Sequence, residues 1–137
     1  MKPSTPIGNS KYGPLLVRVS LGAYFVLAGL AKLENPHLFI TEIKNMGLLP
    51  DLMATLYGIL LPYIEITAGA LLIIGFWTIL ASFLSALMLI SFIIALGLTP
   101  MPHTPFNKDI ILLGAAISIM YSGAGALSID RFRSAAG

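Results

Sequence analysis

The chain contains no cysteine among its 137 residues. It therefore cannot form disulfide bonds, carry a CxxC redox motif, or bind a metal or an iron–sulfur cluster through thiolates. Charge is also scarce: only 10% of the residues are Asp, Glu, Lys or Arg, whereas a soluble domain usually carries about 25%. The net charge of +2 is too small to favour nucleic acid as a partner.

Apolar residues are abundant instead, at 57% of the chain. A membrane-spanning helix needs roughly 20 mostly apolar residues. Four stretches qualify, at about residues 14–31, 52–75, 79–98 and 110–127. A chain this short has no other segment that could cover four such helices from water. The sequence therefore predicts an all-α protein with one transmembrane domain over residues 1–137, an integral membrane antiparallel four-helix bundle.

The connections between the predicted spans carry signals of their own. Asn35-Pro36 is a helix-start signal, and apolar residues recur at helical spacing from Leu38 to Met46. We expect a short amphipathic interfacial helix between helices 1 and 2, with an ordinary connector as the alternative. Between helices 2 and 3, Gly75 is expected to end one helix and Thr78 to cap the next. Prolines predict a stiff, extended loop over residues 99–107.

Positive charge sets the expected orientation, because cytoplasmic loops carry an excess of Lys and Arg. Four cations flank the ends of the chain: Lys2, Lys11, Arg131 and Arg133. Three lie at the long loops: Lys32, Lys44 and Lys108. Since Arg18 also lies near the terminal side, the balance predicts that both termini are cytoplasmic.

Two helices combine ionisable residues with glycines on a single face. The stripe in the first helix holds Arg18, Gly22, Phe25, Gly29 and Lys32, and that in the second holds Gly58, Pro62, Glu65, Gly69, Leu72 and Phe76. Glycines let helices approach closely in lipid, and ionisable groups face the bundle interior. We therefore expect the two stripes to pack together, with Gly22, Gly29, Gly69 and Gly75 as helix-packing residues.

Glu65 lies near the middle of its span, where an isolated carboxylate would be costly. Arg18 is the expected partner, although it lies roughly two helical turns away in depth. Pro62 leaves the carbonyl of Gly58 without a helical partner. Arg18, Pro62 and Glu65 thus form a candidate intramembrane polar site, which is either a structural ion pair or a ligand or proton site. Lys32 is expected to reach out to the headgroups.

Further candidate functional residues lie near the end of the chain and at the two histidines. Gly123 and Gly125 permit close packing or a helix break. Ser128 and Asp130 can cap the exposed end or bond to Arg131 or Arg18, with an ordinary helix exit as the alternative; these four residues are the C-terminal motif. The two histidines, His37 and His103, lie outside the predicted spans, so bis-histidine haem ligation within the membrane is excluded. We predict no metal site and no catalytic residue.

Together these residues resemble the DoxX family, small four-helix membrane proteins of bacteria and archaea. The resemblance covers the two stripes, Lys108 and the C-terminal motif, from about Gly13 to Asp130. Where the family usually has a GPG-like turn, this chain has Gly123-Ala124-Gly125. The resemblance implies a bacterial or archaeal cytoplasmic membrane. For some relatives it implies the small subunit of a thiosulfate:quinone oxidoreductase.

Two functions follow as hypotheses. The first is a small accessory subunit of a larger redox membrane complex, respiratory or photosynthetic, that packs on partner helices without a cofactor of its own. The second is a component of a quinone-linked oxidoreductase with a quinone or proton site near Arg18 and Glu65. Lipid and other membrane subunits are the expected partners, quinone or lipid the candidate ligands. The sequence leaves open whether the chain takes part in catalysis.

Overall fold

The computed structural model describes residues 5–98 and 106–136, which form helices and turns without any strand. The helices are α1 (Tyr12–Glu34), α2 (Pro36–Asn45), α3 (Asp51–Ile74), α4 (Thr78–Leu96), α5 (Lys108–Ser122) and α6 (Ile129–Ala136). The prediction of an all-helical protein is therefore confirmed. Lys2, His103 and most of the proline-rich loop lie outside the described residues.

Three helices, α1, α3 and α4, are long and apolar enough to cross a membrane. Only 28% to 39% of their most apolar stretches is buried within the chain. Large apolar side chains such as Leu27 and Ile94 stay exposed, at 67% and 73%. Lipid is the environment in which such surfaces are stable, so the chain is a membrane protein.

The predicted fourth span differs from the structure. The helix begins at Lys108 and ends at Ser122, so its 15 residues measure only about 22 Å, against about 30 Å for a hydrocarbon core. It stops there because Gly123 and Gly125 adopt positive φ angles of 76° and 70°. Residues 123–127, predicted as helix, instead form a turn that leads into α6.

The helices pack in a closed order. Helix α3 lies against both α1 and α4, and α5 lies against both α4 and α1, while α2 packs on the first half of α3. The core at their centre includes Phe25, Leu72, Leu89 and Ile119, each fully buried. Helix α2 occupies the connection where an amphipathic helix was expected, and its Ile40 and Ile43 fill the space beside Gly58.

Glycines allow α1 and α3 to approach closely. A Cβ atom added to Gly22 would lie 2.6 Å from the carbonyl oxygen of Gly69, and one added to Gly69 would lie 2.5 Å from the carbonyl oxygen of Gly22. One added to Gly29 would lie 2.7 Å from the carbonyl oxygen of Pro62. The two stripes therefore face each other in an antiparallel register, with residue 22 opposite 69 and residue 29 opposite 62.

The turn between α3 and α4 is held from outside. Gly75, with φ 69°, ends α3, but the cap residue of α4 is Trp77, also left-handed, and Thr78 is the first helical residue rather than the cap. The cap is supplied by Asp130, whose carboxylate accepts hydrogen bonds from the backbone N–H groups of Trp77 and Thr78 at 3.0 and 2.7 Å. Partial burial raises the pKa of Asp130, but these bonds and nearby Arg133 outweigh it, so the pKa lies below its usual value.

We expect Gly69→Ala to destabilise the bundle by about 1–3 kcal/mol, because the new methyl group would force two backbones apart. The matched control is Gly114→Ala in α5, where an added Cβ would have no atom within 4 Å. Thermal unfolding in detergent, followed by circular dichroism, measures both variants. Equal melting temperatures would show that α1 and α3 do not meet along this line.

Candidate functional site

Arg18 is fully buried, and all five of its N–H donors are occupied. Every acceptor is a backbone carbonyl, at distances between 2.5 and 3.1 Å: Leu72, Ile73, Ala124, Ala126 and Leu127. The first two belong to the last turn of α3, where carbonyls have no helical partner. The other three belong to the turn after α5. Arg18 therefore joins α1 to both segments and has no donor left for a ligand.

Glycine makes room for this arrangement. A Cβ atom on Gly75 would lie 2.9 Å from Cζ of Arg18 and 2.5 Å from Cβ of Ser128. Within the C-terminal motif, the Ser128 hydroxyl donates to the carbonyl of Gly125 and accepts from the N–H of Arg131. We call this end of the bundle, where Arg18, Gly75 and residues 123–130 meet, the Arg18 end.

Glu65 is fully buried in α3 and bonds to Lys32 of α1. The Lys32 ammonium lies 2.7 and 2.8 Å from the two carboxylate oxygens. It also lies 5.5 Å from the ring centres of Phe39 and Phe92, within the range of cation–π attraction. The buried carboxylate thus has a cationic partner, but the partner is Lys32 and not Arg18.

The expected contact between Arg18 and Glu65 is therefore wrong, and the helix register explains why. A side chain in a helix leans toward the N-terminus of its own helix. In antiparallel α1 and α3, Lys32 and Glu65 lean toward each other, whereas Arg18 leans away from Glu65 toward Gly75. Pro62 and Glu65 remain neighbours in α3, which continues through the proline, but Arg18 is not near them.

A cavity of about 600 Å³ opens beside Lys32 at the end opposite Arg18. Its walls are mainly apolar and come from α1, α2, α3, α4 and the start of α5, and they include Phe39, Ile43, Met46, Leu61, Phe92 and Leu96. Its polar lining consists of Tyr24, Lys32, Tyr57, Ser91, Lys108 and Asp109. We call this region the open end. None of the three residues of the predicted polar site lines it.

Hydrogen bonds order the polar groups of the open end. The Ser91 hydroxyl donates to the carbonyl of Met88, so the Tyr57 hydroxyl must donate to Ser91, at 2.7 Å. Lys108 lies 3.3 Å from the carboxylate of Asp109. Asn107 caps α5, accepting from the N–H of Asp109 at 2.9 Å, and its amide donates to the carbonyl of Gly97.

The sequence interpretation missed the open end because its residues are individually ordinary. Lys32 belonged to the predicted stripe but was assigned to the headgroups. Only the register set by Gly22 and Gly29 shows that it can reach Glu65. Tyr57 and Ser91 lie on different helices, and their contact depends on how α3 and α4 pack. No spacing within either helix indicates that pairing.

The helices and the buried polar contacts define a multi-span α-helical membrane protein whose ionisable groups are paired inside the bundle. A family model described as methylamine utilisation protein MauE matches residues 10–101, more than half of the chain. The chain belongs to this family. No curated protein and no solved structure gives a significant match.

The resemblance to DoxX is thus corrected, because the matching family is MauE. The motifs behind that resemblance are each short, and glycines, prolines and paired charges are constraints common to small helical membrane proteins. Lys108 and the C-terminal motif, which contributed to it, lie outside the matched region. They therefore do not contribute to the family assignment, although the C-terminal motif packs against the turn after α3 in the structure.

Removing one partner of the Lys32–Glu65 pair should lower the stability of the protein more than removing both. Glu65→Gln leaves a largely buried ammonium without its counter-charge, and we expect a loss of about 2–3 kcal/mol. Adding Lys32→Met should recover most of this loss. A double-mutant cycle on unfolding in detergent should give a coupling above about 0.5 kcal/mol.

The control is a second cycle that combines Glu65→Gln with Arg18→Lys. Because Arg18 bonds to other groups, these two changes should add to within about 0.5 kcal/mol. Strong coupling to Arg18 and none to Lys32 would contradict the pairing.

Proposed function

We propose that this chain is a small integral-membrane accessory subunit of a redox system that serves methylamine utilisation. The observation that carries the proposal is the match to the methylamine utilisation protein MauE over residues 10–101. Three apolar helices support the membrane location. In the proposal, the chain assists partner proteins in the membrane, and the partners supply the redox chemistry.

The internal polar contacts support an assembly role. Arg18 satisfies backbone carbonyls with every donor, and Glu65 is held by Lys32. These groups therefore stabilise the bundle from inside and leave its outer faces apolar. Exposed side chains such as Ile79, Phe83 and Leu87 of α4 form one such face, which suits lipid or the helix of a partner.

We further propose that α5 also crosses the membrane, which would make the fold a four-helix bundle. Although α5 is short, its first residue, Lys108, borders the same cavity as Lys32. Its other end leads into the turn that Arg18 binds. A helix that reaches both ends of the bundle would run from one membrane surface toward the other. The turn at residues 123–128 would supply part of the length by which α5 falls short of the hydrocarbon core.

We propose the orientation on the basis of the same contacts. The segment with Arg131 and Arg133 is joined to the turn after α3, because the N–H of Asp130 donates to the carbonyl of Gly75. Lys11 also lies at this end, since its carbonyl accepts from the N–H of Ala126. This clustering of cations supports cytoplasmic termini in the proposal. Helix α2 would then lie at the opposite surface.

A quinone-linked role stays a prediction. The three residues on which it was based do not meet in one pocket, and the donors of Arg18 are all used. Nothing in the arrangement of Arg18 and Glu65 favours it over the accessory role.

Cysteine labelling tests the topology cleanly, because the natural chain has no cysteine. Single cysteines are introduced at Asn9, Asn45 and Ser134, and intact cells are treated with a membrane-impermeant maleimide. We expect only Asn45→Cys to react from outside, with the other two reacting after permeabilisation. If Asn9→Cys and Ser134→Cys label from opposite sides, α5 does not cross the membrane.

Deletion of the gene tests the function. We expect the deletion strain to lose growth on methylamine and to keep normal growth on a substrate unrelated to amines. The wild-type gene should restore growth, and so should Gly114→Ala, which leaves the packing unchanged. A tagged chain purified in mild detergent should carry subunits of the redox system with it. Normal growth of the deletion strain on methylamine would refute the proposal.

A further inference from the structure

The cavity at the open end combines an apolar interior with two ammonium groups. We propose that it binds an amphiphile that consists of an acyl chain and an oxyanion headgroup, held by Lys32 and Lys108. The volume of about 600 Å³ lies within the usual range for small-ligand sites, about 300–1,000 Å³. This site is distinct from the accessory role above and requires no redox chemistry.

The charges around the cavity favour an anionic headgroup. Two carboxylates accompany the two lysines, but both are hidden: the side chain of Glu65 is 0% exposed and that of Asp109 is 2% exposed. The lysine side chains are 21% and 64% exposed. A ligand that enters the cavity therefore meets the ammonium groups, with the carboxylates behind them.

The hydrogen-bond donors that remain free at the cavity also favour an anionic headgroup. Each ammonium has three N–H donors: Lys32 uses two on Glu65, and Lys108 contacts both Asp109 and the Tyr24 hydroxyl. The hydroxyl groups of Tyr57 and Ser91 donate to Ser91 and Met88, respectively, so neither offers a free proton. Among the described residues, the donors left at the cavity are these ammonium groups and the Tyr24 hydroxyl, and a charged acceptor gains more from the cationic donors than a neutral one does.

The polarity gradient fits an amphiphile. Lys108, the first residue of α5, is the most exposed of the four charged side chains around the cavity and lies at its mouth. Leu61 lies two to three turns into α3, and Phe92 lies more than a turn before the end of α4, so the inner wall is apolar. The headgroup would stay near the membrane surface while the chain enters between the helices. A fatty-acid carboxylate and a phospholipid phosphate share this chemistry.

Binding of radiolabelled palmitate to the purified, delipidated protein in a neutral detergent tests the proposal. We expect saturable binding at one site per chain, competed by unlabelled palmitate or by a short-chain phosphatidylglycerol, and not by methyl palmitate. Competition by palmitate but not by phosphatidylglycerol shows that the site takes a carboxylate headgroup only, and competition by both shows that it also takes a phosphate; either result supports the site. Equal competition by methyl palmitate would overturn it.

Variants locate the site. Lys108→Gln should weaken binding roughly tenfold or more, the loss expected for one charge-assisted bond, and Lys108→Arg should retain it. Lys44→Gln is the matched control, because Lys44 is an exposed lysine of α2 that does not line the cavity. The same affinity for Lys108→Gln and Lys44→Gln would overturn the proposal.

A second pair of variants tests the apolar interior without touching charge. Ala95 lines the cavity, so Ala95→Phe should fill part of it and reduce binding at least tenfold. Leu87→Phe adds an aromatic ring to an exposed position of the same helix and should bind like wild type. Melting temperatures show that both variants are folded. Unchanged binding by a folded Ala95→Phe would place the ligand elsewhere and refute the cavity.

Discussion

A hydrocarbon environment offers no hydrogen bonds, so backbone N–H and C=O groups buried in it need partners within the protein. Arg18 meets this constraint completely, since its five donors bind five carbonyls. Those carbonyls belong to backbone that is no longer helical or lies at a helix end. Without the guanidinium, the turn at residues 123–127 would leave carbonyls unsatisfied beside α3. The early end of α5 is thus possible because an arginine from another helix replaces the missing helical hydrogen bonds.

The close contact of α1 and α3 places that arginine. Gly22 and Gly69 bring the two backbones together, and this fixes the register that puts Arg18 beside Gly75 and Lys32 beside Glu65. The two ionic groups lie on one stripe of α1, yet they serve opposite ends of the bundle. The same helix register therefore determines both the close packing and the partners of the charged groups. A shift of one helical turn between α1 and α3 would separate both Arg18 and Lys32 from their partners.

Local features of the fold could be predicted from the sequence because they depend on neighbouring residues. Apolar length gives α1, α3 and α4, and Asn107 with Asp109 marks the start of α5. The partner of Glu65 could not be predicted, since it depends on the relative register of two helices and on the direction in which their side chains lean. Likewise, the cap of α4 comes from Asp130, more than fifty residues away in the chain, and replaced the local candidate Thr78.

The two ends of the bundle differ in a way that bears on function. At the Arg18 end, the arginine donates every N–H to backbone carbonyls and Asp130 binds two backbone N–H groups, so these two side chains hold the fold together. At the open end, Lys32 and Lys108 keep donors and partial exposure beside an apolar cavity. Full satisfaction is the mark of a structural group, whereas incomplete satisfaction beside a cavity leaves interaction energy for a ligand. The candidate binding chemistry of this protein therefore belongs with Lys32 and Lys108, and the buried arginine, which is the most conspicuous charge in the sequence, serves the architecture.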